Sequence, residues 1–162
     1  MNFSKSFRNT FLVILLSLIV SACATKKTTT KVEGQMQGDV YTGTDTVKYL
    51  ADGVPDRVFF ATNESILTTK SRDTLRKQAT WMRKNKDVTV TVEGHADERG
   101  TREYNLALGE RRANAAKDYL MTYGVSGKRI SVISYGKERP VNPASSPLAW
   151  SQNRRSVTVK AN

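Results

Sequence analysis

The sequence of 162 residues contains a single cysteine and a single histidine. One cysteine cannot form an internal disulfide, so the disulfide-stapled folds of many small secreted proteins are excluded. A lone histidine, with no HExxH pattern, gives little support for a zinc site, and no serine lies in a nucleophile motif. The sequence therefore predicts a binding protein rather than an enzyme, with no cofactor and no metal. His95 is expected to be a strand-end side chain.

Long hydrophobic runs are also lacking. The longest is a ten-residue, almost entirely apolar stretch from Phe11 to Val20, about half of what a membrane-spanning helix needs. Lys5 and Arg8 precede this stretch, and small residues follow it up to Cys23. A basic start, a short apolar centre and a small-residue cleavage site predict a removable export signal over residues 1 to 22.

The only cysteine stands directly after the predicted cleavage site, in the sequence VSAC. This sequence resembles a bacterial lipobox, in which the cysteine thiol receives a diacylglyceryl group; an ordinary buried cysteine is the alternative. The resemblance implies that Cys23 is the lipid attachment site of a lipoprotein, and two or more acyl chains give stable membrane anchoring. Ala24, in place of the Asp that retains enterobacterial lipoproteins, favours the outer membrane.

Acidic residues are fewer than basic ones. Removing residues 1 to 22 takes away two basic residues and no acidic residue, which leaves 24 Lys+Arg against 15 Asp+Glu, or a charge of +9. Such a balance suits an anionic partner, such as nucleic acid, a phospholipid surface or a polyanionic polymer. Export argues against nucleic acid, whereas a simply solvated basic surface remains the alternative.

Large apolar side chains are scarce between residues 24 and 53, which are rich in Thr, Lys and Gly. Because no helix or strand period is present, residues 23 to 53 are predicted to be the lipidated cysteine and a flexible tether. A coil of about 30 residues spans roughly 30 Å and stretches to about 100 Å. Residues 54 to 162 have the length of one compact domain.

Periodic apolar patterns in this domain predict its architecture. We expect strands and helices to alternate, with strands at 57–61, 87–96, 128–136 and 155–161, helices at about 69–85 and from Thr101 onward, and a short helical turn at LAWSQN. The order β-α-β-α-β-β predicts an α/β (α+β) two-layer sandwich, with helices packed on one face of a mixed sheet.

The second predicted helix carries two polar residues where its core face should be. On a helical wheel, Arg112 falls near the middle of the apolar arc, and Asn105 falls almost directly behind it. The neighbours of Arg112 three and four residues away include no acid, so its partner must come from elsewhere in the fold or from a ligand. Asp97 and Glu98, in the turn before the helix, are the candidates.

These residues predict a notch that binds a zwitterion. Arg112 would hold a carboxylate through two N–H groups, and Asp97 would hold an ammonium, with Asn105 and the N-terminal N–H groups of the helix nearby. The alternative is that Asp97 and Arg112 pair with each other and fix the turn to the helix. A catalytic role for the acids of this turn is disfavoured, because an adjacent arginine would hold them ionised.

The segment TVEGHADERGTREYNLALGERRANAAKDYL, together with SYGKERP and NRRSVTV, resembles the OmpA C-terminal-like family of cell-wall-binding domains. The resemblance runs from about Arg57 to Val159, and the Asp, Asn and Arg of the family motif fall on Asp97, Asn105 and Arg112. In that family the Asp and the Arg hold the free end of meso-diaminopimelate in the stem peptide of peptidoglycan. The resemblance implies the same ligand here.

Two further positions are implied by the resemblance alone. The loop after the first strand often holds an Asp near the ligand in that family, and here it reads ATNES, which makes the uncharged Asn63 the counterpart. Asn153 and Arg154 match the NRR of the family and are expected to brace the site, with turn capping and surface charge as the alternative.

The lipoproteins of this family bind TolB, the periplasmic propeller of the Tol complex, which implies the same partner. The implied function is non-covalent tethering of the outer membrane to peptidoglycan, by a lipid-anchored protein whose domain lies in the periplasm, in support of envelope integrity and cell division. Another cell-wall anchor of the family, flagellar or secretion-linked, would share Asp97 and Arg112 but bind a different partner.

Overall fold

The computed structural model describes residues 36 to 161, so the predicted signal, Cys23 and the first part of the tether lie outside the described residues. Within this range no helix has the length and apolarity to cross a membrane. The elements are β1 (Met36–Gln37), β2 (Val40–Tyr41), β3 (Tyr49–Ala51), β4 (Val54–Pro55), β5 (Arg57–Phe59), α1 (Thr69–Lys84), β6 (Val90–His95), α2 (Arg102–Thr122), β7 (Ile130–Gly136), α3 (Pro147–Asn153) and β8 (Arg155–Lys160).

Four of these strands form the central sheet, in the order β5-β8-β6-β7. β6 and β7 are parallel, and the other neighbouring pairs are antiparallel. The predicted two-layer architecture with a mixed sheet is therefore confirmed, with differences of a few residues at the ends of elements. The main local difference is a single 3-10 turn at Gly127–Arg129, where the sequence pattern predicts the start of a strand.

The helices α1 and α2 pack on the same face of the sheet. Each begins at a threonine cap: the Thr68 and Thr101 hydroxyls accept hydrogen bonds from the Ser71 and Tyr104 amides, at 3.1 and 3.2 Å, which satisfies donors that the helix leaves free. Their apolar faces meet the sheet in one core, which includes Val58, Phe60, Leu75, Met82, Val90, Val92, Leu120 and Ile130. This core fixes the positions of the strand ends.

α2 lies in direct backbone contact with β6. A Cβ atom added to Gly94 would overlap the carbonyl oxygen of Gly109, and one added to Gly109 would overlap the Ser134 hydroxyl. Only glycine allows the two backbones to approach this closely. The contact places Arg112, about one turn after Gly109, against the end of β6.

Residues 36 to 53 differ from the predicted flexible tether. They form the β1–β2 hairpin and most of the β3–β4 hairpin, and Tyr41 and Leu50 are buried on the domain. The Tyr41 ring meets the Phe59 ring edge-on at 4.8 Å. The tether prediction is wrong for these residues, because apolar stretches as short as Val40–Tyr41 and Tyr49–Ala51 give no recognisable period in the sequence and can still be buried.

Candidate functional site

The residues singled out in the sequence converge at one end of the sheet. Three segments meet there: the loop after β5, the turn between β6 and α2, and Arg154 at the junction of α3 and β8. We call this place the notch and define it by Thr62, Asp97, Arg99, Asn105, Arg112 and Arg154. Asn63 lies in the loop after β5, with an exposed side chain.

Arg112 is completely buried, and its partners are backbone carbonyls. Nε donates to Glu64 O at 2.8 Å, Nη1 to His95 O at 2.9 Å and Nη2 to Ala61 O at 3.0 Å. The expectation of a partner outside the helix is confirmed, but Asp97 and Glu98 are the wrong partners, since neither forms an ion pair with Arg112. The side chain ties α2 to the loop after β5 and to the end of β6.

The carbonyl partners accept three hydrogen bonds from Arg112 but do not neutralise its charge. Burial and the nearby charge of Arg154 lower the pKa of the Arg112 guanidinium to about 10, so it remains protonated at neutral pH. Three of its five N–H groups are engaged, which leaves two. The base of the notch is therefore positively charged.

Asp97 is paired with two other arginines. Its Oδ1 accepts from the backbone N–H and Nε of Arg99, both at 3.1 Å. Its Oδ2 accepts from Arg99 Nη2 at 2.7 Å and from Arg154 Nη1 at 3.2 Å. Burial acts to raise the pKa of Asp97, but the hydrogen bonds and charge of Arg99, together with Arg154, outweigh it and hold the pKa below its usual range. Asp97 is thus an ionised carboxylate with both oxygens occupied.

Arg154 and Asn153 stabilise different parts of the structure. Arg154 is 2% exposed, and besides Asp97 it donates from Nε to Phe60 O at 3.2 Å, so it braces the notch between β5 and the turn. Asn153 instead holds the Pro-rich loop after β7: its Oδ1 accepts from the Val141 and Asn142 amides at 2.8 and 3.1 Å.

Asn105 and Asn63 occupy the interior and the rim of the notch, respectively. Asn105 is buried, and its Nδ2 donates to Arg99 O at 2.8 Å, which holds the turn before α2 in place. Asn63 has a left-handed backbone with φ of 58°, a conformation that asparagine adopts more readily than most residues. Its exposed amide is free to meet a ligand.

Arg99 and Asp39 contribute to the notch but were not singled out from the sequence. The Arg99 side chain is 42% exposed and stacks over the Trp150 ring at 4.4 Å, while Trp150 Nε1 donates to Glu98 Oε1 at 2.8 Å. Asp39, from the turn between β1 and β2, accepts a hydrogen bond from the Thr62 N–H at 2.6 Å. The Asp-x-Arg spacing at 97–99 was the available signal for Arg99, whereas Asp39 had none.

His95 contributes its backbone rather than its imidazole. It is the last residue of β6, as expected of a strand-end side chain, and its carbonyl accepts from Arg112. Burial lowers the pKa of the imidazole to about 3, assisted by the charges of Arg155, Arg57 and Arg139. The imidazole is therefore neutral at physiological pH.

The notch combines one ionised carboxylate with positive charge on two sides. Asp97 can exchange its bonds to the half-exposed Arg99 for an ammonium group, while Arg112, Arg154 and the Thr62 N–H can attract a carboxylate. Such an arrangement suits a small zwitterionic group. It contains no activated nucleophile.

The chain is similar to proteins of known family. The model of the OmpA family matches residues 59–154. A "Peptidoglycan-associated lipoprotein" of Mesorhizobium japonicum is 43% identical over 154 residues, covering 94% of this chain and 92% of the relative. The protein of the same name in Brucella melitensis is 44% identical over 151 residues, covering 91% and 89%.

Solved structures agree with the fold. The peptidoglycan-associated lipoprotein of Burkholderia pseudomallei superposes with a TM-score of 0.64 at 33% identity, over 65% of this chain and 90% of that one. The C-terminal domain of Helicobacter pylori MotB has a TM-score of 0.62 at 23% identity, over 66% and 84%. At that identity the likeness concerns the fold alone.

Proposed function

The chain belongs to the OmpA family, and from that premise we propose that it is a cell-wall anchor that binds peptidoglycan non-covalently at the notch. The relatives named as peptidoglycan-associated lipoproteins support this over nearly their whole length. The observation that carries the proposal is Asp97, a buried and ionised carboxylate held between Arg99 and Arg154 at one end of the sheet.

The ligand would be the free end of meso-diaminopimelate in the stem peptide, which carries an ammonium and a carboxylate on one carbon. Asp97 receives the ammonium after Arg99 moves aside, which its half-exposed position permits. The carboxylate is drawn toward the positive side of the notch, where Arg112 retains two N–H groups and Arg154 lies close. Asn105 keeps the turn in shape, and Asn63 offers an uncharged amide at the rim.

At the level of the cell, the protein would be lipidated at Cys23 and anchored in the outer membrane, with its domain in the periplasm. As a member of the Tol-Pal system it would bind TolB and support envelope integrity and cell division. The relatives named as peptidoglycan-associated lipoproteins favour this role over a flagellar or secretion-linked anchor.

The binding site is tested with the mature, detergent-solubilised protein and isolated sacculi of the diaminopimelate type. Wild type should co-sediment, and Asp97→Asn should not, because the ammonium loses its counter-charge. Asp73→Asn is the matched control, since Asp73 is an exposed acid paired with Arg76 on α1. If Asp97→Asn sediments like wild type while its thermal melt is unchanged, the site is elsewhere.

The anchor and the partner are tested in cells. Globomycin treatment or Cys23→Ser should leave the precursor unprocessed, and normal maturation would rule out the lipoprotein assignment. Affinity capture with TolB should retain the wild-type protein. A protein that binds sacculi but is not captured by TolB would point to a different anchor of the family.

A further inference from the structure

The turn between β1 and β2 places a carboxylate at the edge of the notch. Asp39 Oδ2 accepts from the Thr62 N–H at 2.6 Å and lies 3.8 Å from Arg154 Nη2. The Asp39 carbonyl also accepts a hydrogen bond from Arg154 Nη2. A backbone N–H together with a guanidinium is a common receptor for a carboxylate. Here the carboxylate comes from the chain itself, at Asp39.

Arg154 connects this contact to the predicted ligand position. The same guanidinium donates through Nη1 to Asp97 and lies against Asp39 through Nη2. Partial burial acts to raise the pKa of Asp39, but hydrogen bonds from Thr62 and the charge of Arg154 outweigh it, so Asp39 is ionised at neutral pH. Arg99 thus occupies Asp97 and Asp39 occupies Arg154, so two of the charged groups that a zwitterion would meet already have partners within the chain.

The β1–β2 hairpin is a weak structural element. Its strands have two residues each, paired as Met36 with Tyr41 and Gln37 with Val40, and so short a hairpin has little stability of its own. The Asp39 side chain is 47% exposed, whereas Tyr41 is buried and anchors the following chain. The tip can therefore leave the notch while Tyr41 stays in place.

We propose that the β1–β2 turn is an intramolecular competitor of the ligand, in which the Asp39 carboxylate takes the place of the ligand carboxylate beside Thr62 and Arg154. Docking of the turn and binding of a stem peptide then exclude each other. This inference rests on the proposed function and adds regulation to it: the segment that connects the domain to its tether sets the affinity of the site.

The test is calorimetric titration of the mature, detergent-solubilised protein with a soluble stem tripeptide that ends in meso-diaminopimelate. Asp39→Asn keeps the size of the side chain and removes its charge. If the docked turn is populated at about 90%, removing it should tighten the apparent Kd about tenfold, and Asp39→Ala should act in the same direction. The control is Asp45→Asn, because Asp45 lies in the same segment but accepts from Gln152, at 3.1 Å, away from the notch.

The outcomes separate this inference from the proposed function. Tighter binding by both Asp39 variants, with Asp45→Asn like wild type, supports the competitor. Unchanged binding overturns it, and weaker binding overturns it by making Asp39 a ligand contact; in both cases the proposed function stands. If neither wild type nor the Asp39 variants bind the peptide although all melt cooperatively, both proposals fail.

Discussion

Two buried arginines flank the notch, and they are held in different ways. Arg112 donates to three neutral carbonyls of the backbone, whereas Arg154 divides its donors between carbonyls and the charged oxygens of Asp97 and Asp39. Carbonyl bonds fix a framework and leave the charge uncompensated, while carboxylate bonds can be exchanged for other charged groups. We therefore call the Arg112 side of the notch structural. We call the Arg154 side responsive, because its charged partners can be exchanged.

The largest effect is expected on the structural side. Arg112→Met should lower the free energy of unfolding by about 3–5 kcal/mol, because three carbonyls from two segments lose their common buried partner. Urea denaturation measures this loss. Arg76→Met, which removes an exposed arginine of α1, should change little. A loss for Arg112→Met below about 1 kcal/mol would contradict the framework role.

The next largest effect on stability is expected from the titration of His95, the last residue of β6, whose carbonyl accepts from Arg112. His95 is protonated below about pH 6.5 in the unfolded chain, but only near pH 3 in the fold. Unfolding therefore takes up a proton between these values, and stability falls as pH decreases. From pH 7.5 to 5 the expected loss is about 2 kcal/mol.

Because the sequence has one histidine, no other histidine contributes to this pH window. Urea titrations at several pH values should show the slope in wild type and a flatter profile in His95→Gln. An equal slope in both proteins would show that the imidazole is not buried in its neutral form.

A smaller effect distinguishes the two arginines directly. Double-mutant cycles with Asp97→Asn should give a coupling of about 1 kcal/mol or more with Arg154→Met, because these side chains share a hydrogen bond. The coupling with Arg112→Met should be smaller, since no ion pair joins Arg112 to Asp97. Equal couplings would erase the distinction between a structural and a responsive side.

The smallest effect on stability is expected at Arg99. Its side chain is 42% exposed, so solvent screening weakens its ion pair and Arg99→Ala should cost less than about 1 kcal/mol, while Asp97 keeps Arg154. The stem peptide should bind more tightly, since its ammonium no longer displaces Arg99. Weaker binding in the same calorimetric titration would instead make Arg99 a ligand contact.

The fold could be predicted because its signals are local. The periodic apolar patterns over residues 69–85 and 87–96 involve neighbouring residues, and the structure confirms the helix and the strand that they predict. The need of Arg112 for a distant partner was likewise predictable from its place on the helix. The partner itself was not, because a backbone carbonyl has no signature in a sequence.

The N-terminal hairpins and their contacts could not be predicted from the sequence. Asp39 meets Thr62 across 23 residues and Arg154 across 115, and nothing in the spacing of these residues indicates that they meet. Tyr41 and Leu50 belong to two short apolar stretches, Val40–Tyr41 and Tyr49–Ala51, in a segment that otherwise resembles a flexible linker in composition. Only the structure shows that both side chains are buried against the domain.

The β1–β2 and β3–β4 hairpins also have a mechanical consequence. The chain passes through both before it enters β5, an edge strand held by three residue pairs with β8, and β5 leads directly into the loop of the notch. A pull between the N-terminal chain and a ligand in the notch would thus load the hairpins before the sheet. Unzipping residues 36 to 55 would release roughly 65 Å of extended chain, so under such a pull the hairpins would lengthen while the central sheet stays folded.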